Sequence, residues 1–126
     1  MPDNKALIKT YLDALSGHPK LPGLVQKYVA DLTLAQHIAE TEEAFPRYEI
    51  VVEDMLSEGD RVAVRGPFRG VHQGAFAGIP PTGRAVSAGL MIVYQVENGR
   101  IVRHWMEFDR LGLFQQLQAT SVGASK

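Results

Sequence analysis

The spacing of apolar residues changes once along the chain, near Pro46, and that change decides the fold class. Before it, Leu7, Ile8, Tyr11, Leu12 and Leu15 recur on one face of a helix. Asp3 is a candidate N-cap, and the run SGHP at Ser16 to Pro19 is a stop. Leu24, Val25, Tyr28 and Val29 repeat the spacing in a second, shorter helix after Pro22. A third is expected over Leu34 to Ala44, capped by Asp31 or Thr33 and ended by Pro46.

After Pro46 the pattern is that of strands. YEIVVEDML is rich in β-branched residues, and SEGD then makes a turn. RVAVRGPFRGVH sets Val62, Val64, Gly66 and Phe68 against Arg61, Ala63, Arg65 and Pro67. Pro67 has no N–H to donate, so it marks an edge, a bulge or a break. QGAFAGIPPTG is a loop by composition. RAVSAGLMIVYQVE is a long strand whose Gly89 predicts a bulge or bend. Asn98-Gly99 is a hairpin signal leading into RIVRHWMEF, and RLGLFQQLQ closes as a helix. Helices followed by consecutive antiparallel strands specify an α+β domain. A sheet bent around its helices leaves a pocket at its wide end.

Composition narrows the function classes. The 126 residues suit one domain, taken as 1–118, with the small polar tail ATSVGASK at 119–126 expected to be disordered. Net charge is −1 and both signs are interspersed, so the basic footprint of a nucleic-acid binder is missing. The chain has no Cys, which excludes disulfides, thiolate metal sites and a Cys nucleophile, and agrees with a reducing, cytoplasmic setting. No apolar run reaches the length of a membrane span. The four His show no paired ligand spacing, so no metal is expected. The GAFAGIPPTG loop lacks GK[ST] and is no phosphate loop, and no GxSxG is present.

The stretches VEDMLSEGDRVAVRGPFRGVHQGAFAGIPPTGRAV and IVYQVENGRIVRHWMEFDRLGLFQQL resemble the SnoaL-like polyketide cyclases, within the nuclear transport factor two-like superfamily. The resemblance runs from about Phe45 to Leu117 and rests on Phe45-Pro46, the GIPPTG loop at Gly78 to Gly83, and the NGRIV.HW…D.LGL..QL ending taken together. It implies a cone-shaped α+β barrel: a strongly bent, mostly antiparallel sheet, three N-terminal helices and a short C-terminal one. It also implies a pocket without a cofactor, in which an aspartate moves protons in an intramolecular aldol condensation. The Asp that matches is Asp109. Gly66-Pro67 departs from the aromatic often found after the equivalent of Arg65, which would enlarge the pocket or re-aim the strand.

Trp105, Glu107 and Asp109 alternate, so a regular strand would present them on one face. Asp109 then has two readings. It directly precedes the last helix, where Asp is a preferred cap. In an apolar pocket its charged form would be disfavoured and its pKa raised, as a general acid/base requires. Glu107 either couples to it or pairs in solvent with Arg103 or Arg110. Trp105 is a pocket wall or a core residue. Phe68, Met91, His37 and His72 are the further lining candidates, with His72 either a polar group at the mouth or a structural histidine. The expected ligand is a small hydrophobic or aromatic carbonyl compound. The reaction expected is aldol cyclisation, with isomerisation or dehydration behind it. The alternatives are a non-catalytic binding protein on the same fold, or a dimerisation domain with a vestigial pocket. A desolvated carboxylate in the cavity would favour an enzyme; carboxylates all solvated or paired would favour a binder. A homodimer is expected, because Val102, Met106 and Phe108 would otherwise lie bare on the outer sheet face.

Overall fold

The computed structural model describes residues 3–118, so the expectation for the 119–126 tail lies outside the described residues. Helices α1 (Asn4–Leu15), α2 (Pro22–Tyr28) and α3 (Leu32–Ala44) come first. Strands β1 (Glu49–Ile50), β2 (Asp54–Glu58), β3 (Arg61–Val71), β4 (Ala85–Glu97) and β5 (Arg100–Phe108) follow, then α4 (Arg110–Gln118). Asp3 caps α1 by accepting the Ala6 N–H at 2.9 Å. Pro22 stands in the first turn of α2, where its missing N–H costs nothing. Asp31 caps α3, accepting from Thr33 and Leu34, and Pro46 follows its C-cap Phe45.

The sheet is antiparallel in the order β1-β3-β4-β5, with β2 also on β3. β1 and β2 share one edge of β3 and are joined by a bulge. Val51 N–H donates to Pro67 O at 2.9 Å and Glu53 N–H to Arg65 O at 2.8 Å. Pro67 therefore lies at a bulge, one of the places its missing N–H allows. The Val51 carbonyl crosses directly over Gly66, where any Cβ would collide with it. Gly66 makes room for backbone and not for a ligand.

Two further expectations change. β4 runs through Gly89 in unbroken register with β3, so no bulge forms there. The irregularity lies at Gln95/Val96, opposite β5: Val96 pairs with Ile101 and Gln95 with Arg103, leaving Val102 as the extra residue. One extra residue exchanges the faces of everything beyond it. Ile101 is buried on the inner face, but past the bulge the inner residues are His104, Met106 and Phe108, opposite Tyr94, Ile92 and Leu90. Trp105 and Glu107, opposite Val93 and Met91, face outward.

The inner face packs against the helices. Ile8, Tyr11, Leu12 and Leu15 of α1 meet Val62, Val64, Ile92 and Tyr94 in one core. At its wide end the core is aromatic. The Phe45 ring lies 5.2 Å from Phe68 and 5.3 Å from Phe76, and Phe68 lies 5.7 Å from Phe108, centroid to centroid. These edge-on contacts suit the ring quadrupoles.

Candidate functional site

Between α3, α4 and the inner sheet face lies a cavity of about 430 Å³. Phe68, Tyr94, Met106 and Phe108 form its sheet side; His37 and Ile38 of α3, with Leu113 and Phe114 of α4, form its roof. Its exposed lining residues are Glu40, Glu43, Ala75, Ala77 and Arg110, so the opening lies between the second half of α3, the 75–77 loop and the start of α4. The loop is held there by Gln73 and Gly74 N–H groups, both donating to Ala44 O at 3.0 Å. A larger depression of about 550 Å³ around Arg47, Arg69 and Gln116 is an open surface groove.

Of the expected lining residues, Phe68 and His37 line this cavity. Trp105, Glu107 and Met91 do not, because the β5 bulge turns Trp105 and Glu107 outward and Met91 is their neighbour on the outer face. Trp105 is 38% exposed, with the guanidinium carbons of Arg61 and Arg103 at 4.8 and 4.9 Å from its ring centroid. His72 is fully buried behind Phe45. Its Nδ1 accepts the Thr82 N–H at 3.1 Å and lies 3.0 Å from the Thr82 hydroxyl, so it pins the proline loop.

Asp109 lies outside the cavity lining as well. It is the cap of α4: its Oδ1 accepts the Gly112 N–H at 2.9 Å, and its own N–H donates to Gly89 O. A side chain at position 112 would collide with that carboxylate. Asp109→Ala should therefore cost about 1 kcal/mol of stability while Asp109→Asn costs only a few tenths. Urea denaturation of both variants checks this; equal, unchanged midpoints would refute the capping role.

Besides His37, three phenols reach the cavity, of which the helix and strand positions of Tyr11 and Tyr94 suggest packing alone. The phenols of Tyr11, Tyr48 and Tyr94 line it and are all buried. Burial pushes their pKa values up, and for each a neighbouring phenol adds to the rise, so all stay protonated and able to donate at neutral pH. Beside Tyr94 stands His104, directly opposite it in the β4–β5 ladder, with its Nδ1 2.8 Å from Asp31 Oδ2. Its ring is 6.1 Å from that of His37. The sequence signal for this cluster was the inner-face phase of β5, hidden by the bulge.

A 93-residue stretch, 25–117, matches the family described as SnoaL-like polyketide cyclase. The chain belongs to that family. Solved structures agree with its fold. A SnoaL-like polyketide cyclase from Agrobacterium tumefaciens superposes with TM-score 0.75 at 22% identity, covering 93% of this chain and 99% of that one. AclR from Streptomyces galilaeus, described as a candidate hydroxylase, gives 0.79 at 26%, covering 94% and 83%. TsrD from Streptomyces laurentii gives 0.74 at 26%, covering 95% and 99%. No curated protein matches the chain in sequence. The cavity lies on the inner face of the sheet, and the Trp105 side chain on the outer one. No helix among the described residues is long and apolar enough to cross a membrane.

Proposed function

We propose that this SnoaL-like chain is a cofactor-free cyclase-type enzyme that moves protons on a hydrophobic or aromatic carbonyl compound. One observation carries the reading: an aromatic-walled cavity of about 430 Å³ whose polar lining, away from the mouth, includes protonated phenols and the His37 imidazole. That volume suits a small-molecule ligand. In an aldol closure a base removes the proton beside one carbonyl, and the resulting enolate attacks the carbon of a second. The new C–C bond displaces the C=O π pair onto oxygen, which takes up a proton. Protons balance and no electrons are gained or lost. The phenols can donate to the oxygen where charge develops, and the walls hold the two carbonyls within reach. A non-catalytic binder is the second reading, favoured by Asp109 being engaged as a cap. The same acid/base groups would serve isomerisation or dehydration of such a ligand.

Turnover of an aromatic diketone able to close a six-membered ring, followed by product mass and absorbance, tests the proposal. Cyclisation well above the buffer rate supports it. Saturable binding with no acceleration selects the binder.

The working form is a cytoplasmic homodimer, built on the outer sheet face. Leu56, Ala63, Val93 and Trp105 form an apolar row across four strands there, and Leu56 and Trp105 are exposed. Glu58, Arg61 and Arg103 flank one side of this row, and Asp54, Arg65 and Glu107 the other, where Arg65 already pairs with Asp54. A two-fold axis along the row sets Arg103 of one copy against Glu107 of the next. Val102, Met106 and Phe108 form no outer patch, since Met106 and Phe108 face the cavity. Light scattering at micromolar concentration should give twice the chain mass, reduced to the monomer by Trp105→Glu. A monomeric wild type would refute the dimer.

A further inference from the structure

We propose that Tyr48 sets the ligand specificity of the cavity: with Tyr94 it holds an uncharged acceptor oxygen, the carbonyl of an aryl ketone or a quinone, at the leading end of the ligand. This rests on the cavity being the ligand site. Tyr48 lines the cavity and is 7% exposed. Its backbone is engaged, the N–H donating to Phe45 O and the carbonyl accepting the Gly17 N–H, both at 3.1 Å. Its hydroxyl has no hydrogen-bond partner among the described residues, yet its oxygen is not sealed in the core as His72 Nε2 is. A phenol oxygen that is neither bonded nor sealed borders open space, and the space this side chain borders is the cavity.

Two contacts fix the Tyr48 ring. Its centroid lies 5.3 Å from that of Phe68, on the sheet side of the cavity, and 4.2 Å from Lys20 Nζ. Lys20 is itself held: its side chain is 1% exposed, and its ammonium donates to His18 O at 2.8 Å and Tyr48 O at 2.9 Å beside Glu42 at 3.2 Å. A ring so placed keeps its hydroxyl at one point before any ligand arrives. Tyr94 supplies a second donor. It meets Tyr11 edge-on with centroids 5.8 Å apart, and Tyr11 is the donor of that pair. The Tyr94 hydrogen is then left over, like that of Tyr48, and the two phenols lie within electrostatic reach of each other.

Two leftover hydrogens call for an acceptor with two lone pairs, which a carbonyl oxygen has. The charged residues of the lining are Glu40, Glu43 and Arg110, all exposed at the mouth. Lys20, though close to Tyr48, is not a lining residue and is paired with Glu42. A carboxylate or phosphate at the leading end would therefore be buried without a counter-charge, a costly state. The ligand enters ketone or quinone first, and any charged group it carries stays at the mouth.

Three naphthalenes of nearly equal shape test this: acetonaphthone, ethylnaphthalene, which has a methylene in place of the carbonyl, and naphthoate, which carries a charge there. Calorimetry on the full chain gives their affinities. Tyr48→Phe removes only an unpartnered hydroxyl, so the fold should hold; Tyr28→Phe, outside the cavity lining, is the control and should change nothing. Acetonaphthone should bind the wild type and lose about tenfold in Tyr48→Phe, the scale of one hydrogen bond. Ethylnaphthalene should lose nothing, and naphthoate should bind the wild type at least about tenfold more weakly than the ketone. The infrared carbonyl stretch of bound, isotope-labelled acetonaphthone should lie at lower frequency in the wild type than in Tyr48→Phe, a signature that altered packing alone does not give. Equal losses for ketone and hydrocarbon, or no loss for the ketone, overturn the inference and leave the cavity reading standing. Naphthoate bound as tightly as the ketone overturns the uncharged leading end. No binding of any of the three to the wild type overturns both the inference and the cavity reading.

Discussion

Above pH 10 the protein should lose stability steeply, by about 8 kcal/mol once pH reaches 12. The cause is the buried phenols of Tyr11, Tyr48 and Tyr94, whose pKa values burial raises above the ordinary 10.0. A group whose folded pKa is raised contributes stability that is complete below the unfolded pKa. That stability drains away above it, because only the unfolded chain releases the proton. Each phenol removes about 1.4 kcal/mol per pH unit, so the three together remove about 4. Against a typical domain stability of about 5–15 kcal/mol, roughly one to four units suffice. Urea unfolding across this range gives the slope, and tyrosinate absorbance should appear together with loss of structure. Tyr11→Phe should reduce the slope by about a third. Smooth ionisation of all three phenols near pH 10 with the fold intact would mean that water reaches them, and their proposed role as dry donors would fail.

Gly66→Ala should cost about 3 kcal/mol or more, at or above the upper end of overpacking effects. A Cβ at position 66 meets not a flexible side chain but the carbonyl oxygen and carbon of Val51, with the Glu53 nitrogen also close. Those atoms belong to the bulge that lets one chain segment pair with β3 twice, through Val51 N–H to Pro67 O and Glu53 N–H to Arg65 O. Relief of the clash would break that crossing. Gly89→Ala is the control: a Cβ there meets nothing within 4 Å, and the change should lie within about 0.5 kcal/mol of wild type. Matched urea midpoints for the two variants would show that the bulge yields easily, and the close approach at Gly66 would lose its structural meaning.

The fold was legible because its signals are local. Helical spacing in Ile8, Tyr11, Leu12 and Leu15, the cap at Asp31 and the Asn98-Gly99 turn each act within a few residues. The site was not, for one reason of register. A single extra residue at Val102 carries no chemical mark, yet it moved His104, Met106 and Phe108 inward and Trp105 and Glu107 outward. β5 holds apolar residues in both phases, so alternation could not decide between them. Asp109 was readable as a cap from its place before α4. The Asp31–His104 pair spans 73 positions and depends on the β5 phase, which no local pattern discloses.

The central claim is that the ligand enters the inner-face cavity. Met106 lines that cavity, while Met91 is 53% exposed on the opposite face of the same sheet. Methyl NMR of the methionines during a naphthol titration separates the two faces in one spectrum. The structure predicts a saturable ring-current shift at the Met106 methyl with Met91 unmoved. A shift at Met91 with Met106 silent would place the ligand beside Trp105 and contradict the account.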